Sequence, residues 1–147
     1  MYKQFFTDLE RGKQAEVLVA KAFVGMGYSV FDVSEDSSYW GQDIDLIIYD
    51  FNSQEHYFEI KADWNMYKTG NVVLELTSQV GTDGWYRTSE ATHFAFCDMI
   101  NRICYIARAA ELHEYTEHTD LPHVKLNSCE CILLNVYDCP LFQKIRI

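Results

Sequence analysis

Three ionisable residues lie in two segments that alternate apolar and polar side chains as β-strands do. Asp45 belongs to Asp43–Tyr49, and Glu59 and Lys61 belong to His56–Ala62. Successive side chains of a strand point to opposite faces, so Glu59 and Lys61 share one face. A short link rich in turn residues joins the segments, and we expect an antiparallel pair that brings Asp45 beside them. Charged groups within apolar strands are costly unless they are paired or bind a metal.

Side chains of these types suit the hydrolysis of phosphodiesters. Carboxylate oxygens hold Mg²⁺ together with water and substrate phosphate, and the ion lowers the pKa of a bound water. Lys61 could orient the attacking water and neutralise charge in the transition state. Glu16, on a predicted helix, could approach the metal through water or a second ion. The structural alternatives are a surface ion-pair ladder for the strand residues and a solvated helix position for Glu16.

The pattern Asp45-x₁₃-Glu59-x-Lys61, within the apolar strings IDLII and FEIKA, resembles the catalytic motif of the PD-(D/E)XK nuclease superfamily. Glu16, in RGKQAE, matches the glutamate that an upstream helix often supplies in that superfamily. The resemblance covers roughly residues 10–77. It is strongest for small nucleases of phages and mobile elements and for Holliday-junction-resolvase-like proteins.

The proline that gives this motif its name is absent, because Ile44 precedes Asp45. That departure leaves Asp43 as a rival of Asp45, and we favour Asp45 because apolar strand residues follow it directly. The resemblance implies DNA as substrate and Mg²⁺ as cofactor, with Mn²⁺ as a substitute. It implies catalytic roles for Asp45, Glu59, Lys61 and Glu16, and metal ligation by Asp45, Glu59, Asp43 and Ile60.

Several residues outside this set could contact nucleic acid. The candidates are Lys68, Arg87, Ser78, Gln79 and Trp64. The two basic residues could bind phosphate, with simple solvated charge as an equal alternative. Trp64 and Trp40 border the two catalytic loops, and a base can stack on either ring. Packing of the loops onto the sheet is the favoured interpretation for both tryptophans.

The elements that must position these residues follow from hydrophobic periodicity. A helix is predicted over 4–26, with Val17, Ala20 and Val24 at helical spacing. Beyond the two segments above, strands are predicted at Tyr28–Val33, Val72–Leu76, Thr92–Cys97, Ile103–Ala107 and, as the last strand, Cys131–Val136. A short helix is predicted at Ala107–Tyr115. With no linker or repeat, we expect one domain over 1–147, of the α/β class. The resemblance implies a restriction-endonuclease-like αβββαβ core, a central mixed β-sheet flanked by helices.

The charge of the chain opposes a simple DNA-binding interpretation. Its 12 basic and 22 acidic residues give a formal net charge of −10, whereas DNA-binding domains are typically basic. Either the acids cluster in a metal site and on a face away from DNA, or nucleic acid is not the partner. The leading function is a metal-dependent DNA endonuclease. The alternative is a catalytically silent nuclease-fold module that binds a protein partner.

The remaining features are less specific. The five cysteines are best explained as small buried hydrophobes, with a metal cluster or a redox role as alternatives. No apolar stretch reaches the ~18 residues of a membrane span, and we expect a cytoplasmic protein, including the case of a phage gene expressed in a host. A single metal site cuts one strand, so a homodimer is expected. Its candidate surface includes the apolar tail residues Leu141, Phe142, Ile145 and Ile147.

Overall fold

The computed structural model describes residues 8–147, with side chains from residue 10 onward. In this part of the chain the α-helices are α1 (Asp8–Gly25), α2 (Trp85–Thr88) and α3 (Ala109–His118), and 3-10 helices lie at Ser37–Gln42 and Met66–Lys68. The strands are β1 (Ser29–Asp32), β2 (Leu46–Tyr49), β3 (Glu55–Asp63), β4 (Asn71–Glu75), β5 (His93–Asp98), β6 (Ile103–Arg108), β7 (His123–Leu126), β8 (Cys129–Asn135) and β9 (Gln143–Arg146). The start of the helix predicted over 4–26 lies outside the described residues.

The main sheet is mixed and has six strands in the order β1-β2-β3-β5-β6-β9. Strands β3 and β5 are parallel, and every other neighbouring pair is antiparallel. The chain passes from β3 to β5 through β4 and α2, because parallel neighbours need a crossover rather than a hairpin. The predicted α/β class, with a central mixed sheet and flanking helices, is confirmed.

A second, three-stranded antiparallel sheet has the order β4-β8-β7. Its buried residues Leu74 and Leu134 belong to the same apolar cluster as Phe94 and Phe96 of β5. The alternate residues of β5, including Ala95, belong to a second cluster that α1 covers. Alternation along β5 therefore places one apolar cluster on each face of the main sheet.

The stripe through which helix α1 packs on the main sheet coincides only in part with the predicted one, because Ala20 does pack against the cluster beneath the helix. Ala15 and Val19 are completely buried, and they are four residues apart on one side of the helix. Val17 and Val24, which the periodicity placed on the apolar face, are 41% and 58% exposed, and that part of the prediction is wrong. Small residues such as Ala15 let the helix approach the sheet closely, so the positions of the large valines did not identify the buried face.

The other errors concern short strands. The predicted last strand, Cys131–Val136, corresponds to β8, but β9 follows it and β7 precedes it. Both missed strands lie at sheet edges and are mostly exposed, so their sequences carry little apolar alternation. The apolar tail residues Leu141 and Ile145 pack against the chain's own two clusters. No helix among the described residues is long and apolar enough to cross a membrane.

Candidate active site

Glu59 and Lys61 lie two residues apart on β3 and share one face of the main sheet. Lys61 Nζ is 2.8 Å from Glu59 Oε1, and the Glu59 side chain is only 7% exposed while that of Lys61 is 33% exposed. The lysine also lies over an aromatic ring, with Nζ 4.4 Å from the ring centroid of Trp85 on α2. The predicted placement of the pair on one face is confirmed, and a cation–π contact holds the ammonium at the opening of the site.

Asp45 immediately precedes β2 and is fixed to β3 by the main chain. Its amide donates to the Phe58 carbonyl oxygen at 2.8 Å, and the amide of Ile60 donates to Asp45 Oδ2 at 2.7 Å. Because Ile60 stands between Glu59 and Lys61, this bond holds the Asp45 carboxylate against the same stretch of β3. The predicted proximity of Asp45 to the glutamate–lysine pair is therefore confirmed.

Asp43 lies near Asp45, but its local structure differs from the predicted one. The strand was expected to begin at Asp43, but β2 begins at Leu46. Asp43 instead ends the 3-10 helix at Ser37–Gln42 in the left-handed conformation, with φ of 52°. The hydroxyl of Thr88 on α2 donates to Asp43 Oδ2 at 3.3 Å. Strand alternation was thus the wrong argument for placing Asp43 on the face of Asp45.

Glu16 projects from α1 toward Asp45, and both line one cleft. Burial, followed by the charge of Asp45, raises the pKa of Glu16 to about 7, against a partial opposing effect from the Ser34 side chain. Its Oε2 atom is buried without a hydrogen-bond partner among the described residues. A solvated helix position, the structural alternative for Glu16, does not describe this environment.

The carboxylates share an electrostatic environment that disfavours their ionised forms. Burial raises the pKa of Glu59 to about 8, although Lys61 opposes the shift and Asp45 adds to it. Burial also raises the pKa of Asp45, while the Ile60 amide and Lys61 lower it and Asp43 raises it. Groups that are both desolvated and mutually repelling are stabilised by a cation placed among them.

The donor set fits a hard divalent cation. Asp45 and Glu59 supply carboxylate oxygens, and Mg²⁺ is commonly held by one or two carboxylates plus water and substrate phosphate. The Oε2 atom of Glu16 is a further oxygen, and no group in the described part of the chain donates a hydrogen bond to it. Among residues 8–147, no three histidine, cysteine, aspartate or glutamate side chains come together as a ready-made metal cage. Ile60 can contribute only its main-chain carbonyl, and its amide is already bonded to Asp45.

The five predicted nucleic-acid contacts lie away from the cleft of Asp45 and Glu16. Ser78 and Gln79 border a separate groove beside β4 and β8. Arg87 on α2 donates to the Leu76 carbonyl at 3.3 Å and lies 3.4 Å from Asp83. Trp64 packs against the cluster under α1, and Lys68 lies near its neighbouring tyrosine ring. Their roles in binding stay predictions, because their positions neither require nor exclude contact with a long substrate.

Sequence reasoning missed two residues that lie near the site, Trp85 and Asp32. Trp85 supports the Lys61 ammonium and packs edge-on against Phe94, at 5.4 Å between ring centroids. Asp32, at the end of β1, adds negative charge that raises the pKa values of Glu16 and Asp45. The positions of Trp85 and Asp32 beside the site depend on tertiary contacts between distant segments of the chain, which the sequence does not show.

Two solved structures are similar to this chain. A bacterial homing endonuclease superposes with a TM-score of 0.54 over 74% of this chain and 70% of its own, at 17% sequence identity. The chain has a fold that nucleases share. A nuclease from a fusselovirus superposes with a TM-score of 0.51 over 93% of this chain and 88% of its own, at 12% identity. No protein-family model and no curated protein sequence matches the chain.

Proposed function

We propose that the protein is a Mg²⁺-dependent DNA endonuclease of the PD-(D/E)XK type. The observation that carries the proposal is the position of Asp45, which lies near Glu59 and Lys61 on one side and near Glu16 on the other, with a raised pKa for each of the three carboxylates. Burying several acids together is destabilising unless a cation or a function requires it. The homing endonuclease and the viral nuclease that resemble this chain in structure favour this interpretation over an unrelated metal-binding role.

Asp45 and Glu59 would hold the ion, with Asp43 and the Ile60 main chain as further candidate ligands. When bound, Mg²⁺ would supply a water of lowered pKa and neutralise charge that builds on the phosphate. Lys61 contributes a fixed positive charge for the same phosphate, because Glu59 and Trp85 restrict where its Nζ can lie. Manganese would substitute for magnesium, since both accept oxygen ligands.

Glu16 has a separate chemical capacity. A pKa of about 7 lets its carboxylate accept or hold a proton near neutral pH, which an ordinary glutamate does poorly. The unpartnered Oε2 atom is the one free to do so within the described structure. We assign Glu16 to proton transfer or to a second ion at the cleft side of the site.

The test is cleavage of a panel of labelled linear, circular, branched and single-stranded DNAs with Mg²⁺, Mn²⁺ or EDTA. We expect metal-dependent cleavage that falls about 100-fold or more in Asp45→Asn and Lys61→Ala. Matched controls are Asp120→Asn and Lys125→Ala, which change the same residue types at exposed positions. Full activity in either active-site variant, with the fold intact by circular dichroism, contradicts the assignment.

The second candidate is a silent nuclease-fold module that binds a basic protein partner, and the net charge of −10 favours it. Metal titration separates the two. A ligand that binds the folded state raises its melting temperature, so an enzyme with this site gains thermal stability in Mn²⁺ and loses the gain in Asp45→Asn. A homodimer, needed to cut both strands with one site per chain, is part of the enzyme proposal and is tested by sedimentation with and without DNA.

A further inference from the structure

The cleft beside the proposed active site has the size of a ligand pocket. It has a volume of about 890 Å³ and lies between α1, the loop before β2 and the β5–β6 turn. Most of its wall is apolar, and Val17, Leu18 and Trp40 contribute to it together with Asp45 and Glu16. Small-molecule pockets of roughly 300–1,000 Å³ with mainly apolar walls and a few polar groups are common. A group bound here would lie directly beside two of the proposed catalytic carboxylates.

Trp40 is an exposed aromatic ring held in a fixed orientation. The residue is 64% exposed, yet its indole Nε1 donates to the Ser34 carbonyl at 3.0 Å. The surrounding loop is itself fixed, because Asp36 caps the 3-10 helix through Ser38 and Asp32 accepts from Ser34. With the one polar atom of the indole satisfied inside the loop, an open ring face is presented at low conformational cost. Packing of the loop, the role favoured for Trp40 from sequence, does not explain this exposure.

The charges around the cleft disfavour phosphate as the group that the wall itself recognises. Four acids, Glu10, Glu16, Glu35 and Asp45, face two bases, Lys13 and Arg102. Lys13 is already ion-paired with Glu35. Phosphates are bound by unpaired arginine and lysine, so an acidic, apolar wall with a tryptophan suits an uncharged planar ring instead.

We propose that the cleft binds a nucleobase of the substrate that has left the duplex stack, with the base lying on Trp40. This inference rests on the proposed nuclease function and names its substrate class: DNA with an unpaired nucleotide at or next to the cleaved bond. A paired base is covered on both faces by its neighbours, so it reaches an aromatic side chain only after unstacking, which is least costly where pairing is already absent. The phosphodiester that flanks the bound base then lies beside Asp45 and Glu16.

Stacking also explains how so acidic a chain binds DNA. Phosphate contacts normally supply most of the affinity, and a chain of net charge −10 has little capacity for them. A base on an aromatic ring contributes affinity that needs no positive charge and is tolerant of sequence. The proposed recognition is therefore of DNA structure rather than of base sequence.

The test compares Trp40→Leu and Trp40→Phe with the wild-type chain on one duplex and on the same duplex with a single unpaired nucleotide. Binding is measured by anisotropy of a labelled strand in Ca²⁺, with gels to verify that the DNA stays intact. We expect Trp40→Leu to bind the unpaired substrate about 5- to 150-fold more weakly, Trp40→Phe to retain most of the affinity, and the duplex to bind weakly to all three. The matched control is Phe51→Leu, another strongly exposed aromatic residue, outside the cleft.

A spectroscopic signature identifies the stacked base. With 2-aminopurine at the unpaired position, binding of the wild-type chain should quench its fluorescence, and binding of Trp40→Leu should not. Equal binding by Trp40→Leu and wild type would assign the cleft to another occupant and overturn the inference, even if both cleave DNA. A wild-type chain that cleaves no DNA but binds the unpaired base through Trp40 keeps the base-binding role of the cleft and overturns both the nuclease and its substrate class. Absence of both binding and cleavage overturns both.

Discussion

Glu59 is a buried carboxylate whose ionisation is opposed by the fold. Its pKa is raised to about 8, mainly by burial, and that of Glu16 to about 7. An acid whose pKa is higher in the folded than in the unfolded state stabilises the fold at low pH. That contribution is complete below pH about 4.5 and is lost as pH rises through about 7 and 8. We therefore expect Glu59 to lower the unfolding free energy of the metal-free protein by on the order of a few kcal/mol between pH 5 and pH 8.5, with a smaller effect from the half-buried Glu16. His93, whose pKa is lowered to about 4 by burial, acts in the opposite direction below pH about 6.5.

Glu59→Gln checks the origin of this loss, because the amide has nearly the shape of the carboxyl group and no charge. We expect the variant to be more stable than wild type at pH 8.5 without metal and to depend less on pH, measured by urea denaturation. Mn²⁺ should stabilise the wild type most at high pH and the variant little. Without metal, an equal pH dependence of stability in the wild type and in Glu59→Gln contradicts the buried-acid environment.

Trp85 acts as a positioning residue in the proposed mechanism, because its ring lies under the Lys61 ammonium. Trp85→Leu should lower kcat about 2- to 30-fold, as expected for the loss of one cation–π contact, with a smaller change in KM. Trp85→Phe keeps an aromatic face and should recover most of kcat. Because Trp85 also packs against Phe94, both variants will lower the melting temperature. A kcat that follows the melting temperature alone, without rescue by Phe, would show a structural role only.

The candidate site was predictable at the residue scale where spacing alone decides geometry. Glu59 and Lys61 share a face because they are two residues apart on one strand, and no tertiary contact can alter that. The proximity of Asp45 to these two residues could be predicted because a short turn implied an antiparallel pair, and β2 and β3 do pair in this way. Asp43 could not be placed correctly, because its left-handed backbone and its Thr88 contact arise from a 3-10 helix and from α2. The exposure of Trp40 was equally hidden, since it depends on the capping of its loop.

At the scale of elements, Gly84 lies at the start of α2, where the backbone passes very close to the end of β4. A Cβ atom added at Gly84 would lie 2.5 Å from the Glu75 carbonyl oxygen, which is backbone and has little freedom to move. We expect Gly84→Ala to destabilise the fold by about 1–3 kcal/mol and, because α2 carries Trp85, to lower activity as well. Thermal denaturation and a cleavage assay on one preparation measure both effects.

Gly12→Ala is the matched control for that substitution. Gly12 lies within α1, where an added Cβ meets nothing within 4 Å. The same change should therefore stabilise the fold by about 0.5–1 kcal/mol, because alanine loses less backbone entropy in a helix. Equal destabilisation by both substitutions would contradict the close contact at Gly84.

Elements with local signals were predicted well. The β5–β6 turn is an example, because Asp98 accepts bonds from the Ile100 and Asn101 amides and Arg102 adopts a positive φ. This short turn follows the predicted strand Thr92–Cys97 and precedes the predicted strand Ile103–Ala107, and both strands are present as β5 and β6. The strands β7 and β9 could not be predicted in the same way, because an exposed edge strand needs few apolar residues. The pairing of β4 with β8 joins segments about 60 residues apart and has no local signal.

At the scale of the whole molecule, the distribution of charge decides how DNA can be bound. The chain carries 12 basic and 22 acidic residues, and several described cations already have acidic partners. Lys13 pairs with Glu35, Lys61 with Glu59 and Arg87 with Asp83. These pairs leave fewer cations free to neutralise phosphates. If the chain is the proposed nuclease, we expect the metal site and base stacking to supply much of its affinity for DNA.

The salt dependence of binding measures how many phosphates the protein neutralises, because each one contributes about −0.9 to the slope of log K against log salt. Because acidic residues outnumber basic ones by 22 to 12, we expect a slope no steeper than about −3 at constant Ca²⁺, measured by anisotropy with the unpaired substrate between 50 and 200 mM KCl. Lys68→Ala should weaken binding to all sequences alike and reduce the slope by about 1 if Lys68 contacts a phosphate. Trp40→Leu should lower the affinity at every salt concentration without changing the slope, because a stacked base releases no counterions. A slope of about −6 or steeper would require a basic surface that contacts many phosphates, and it would contradict binding through the metal site and stacking.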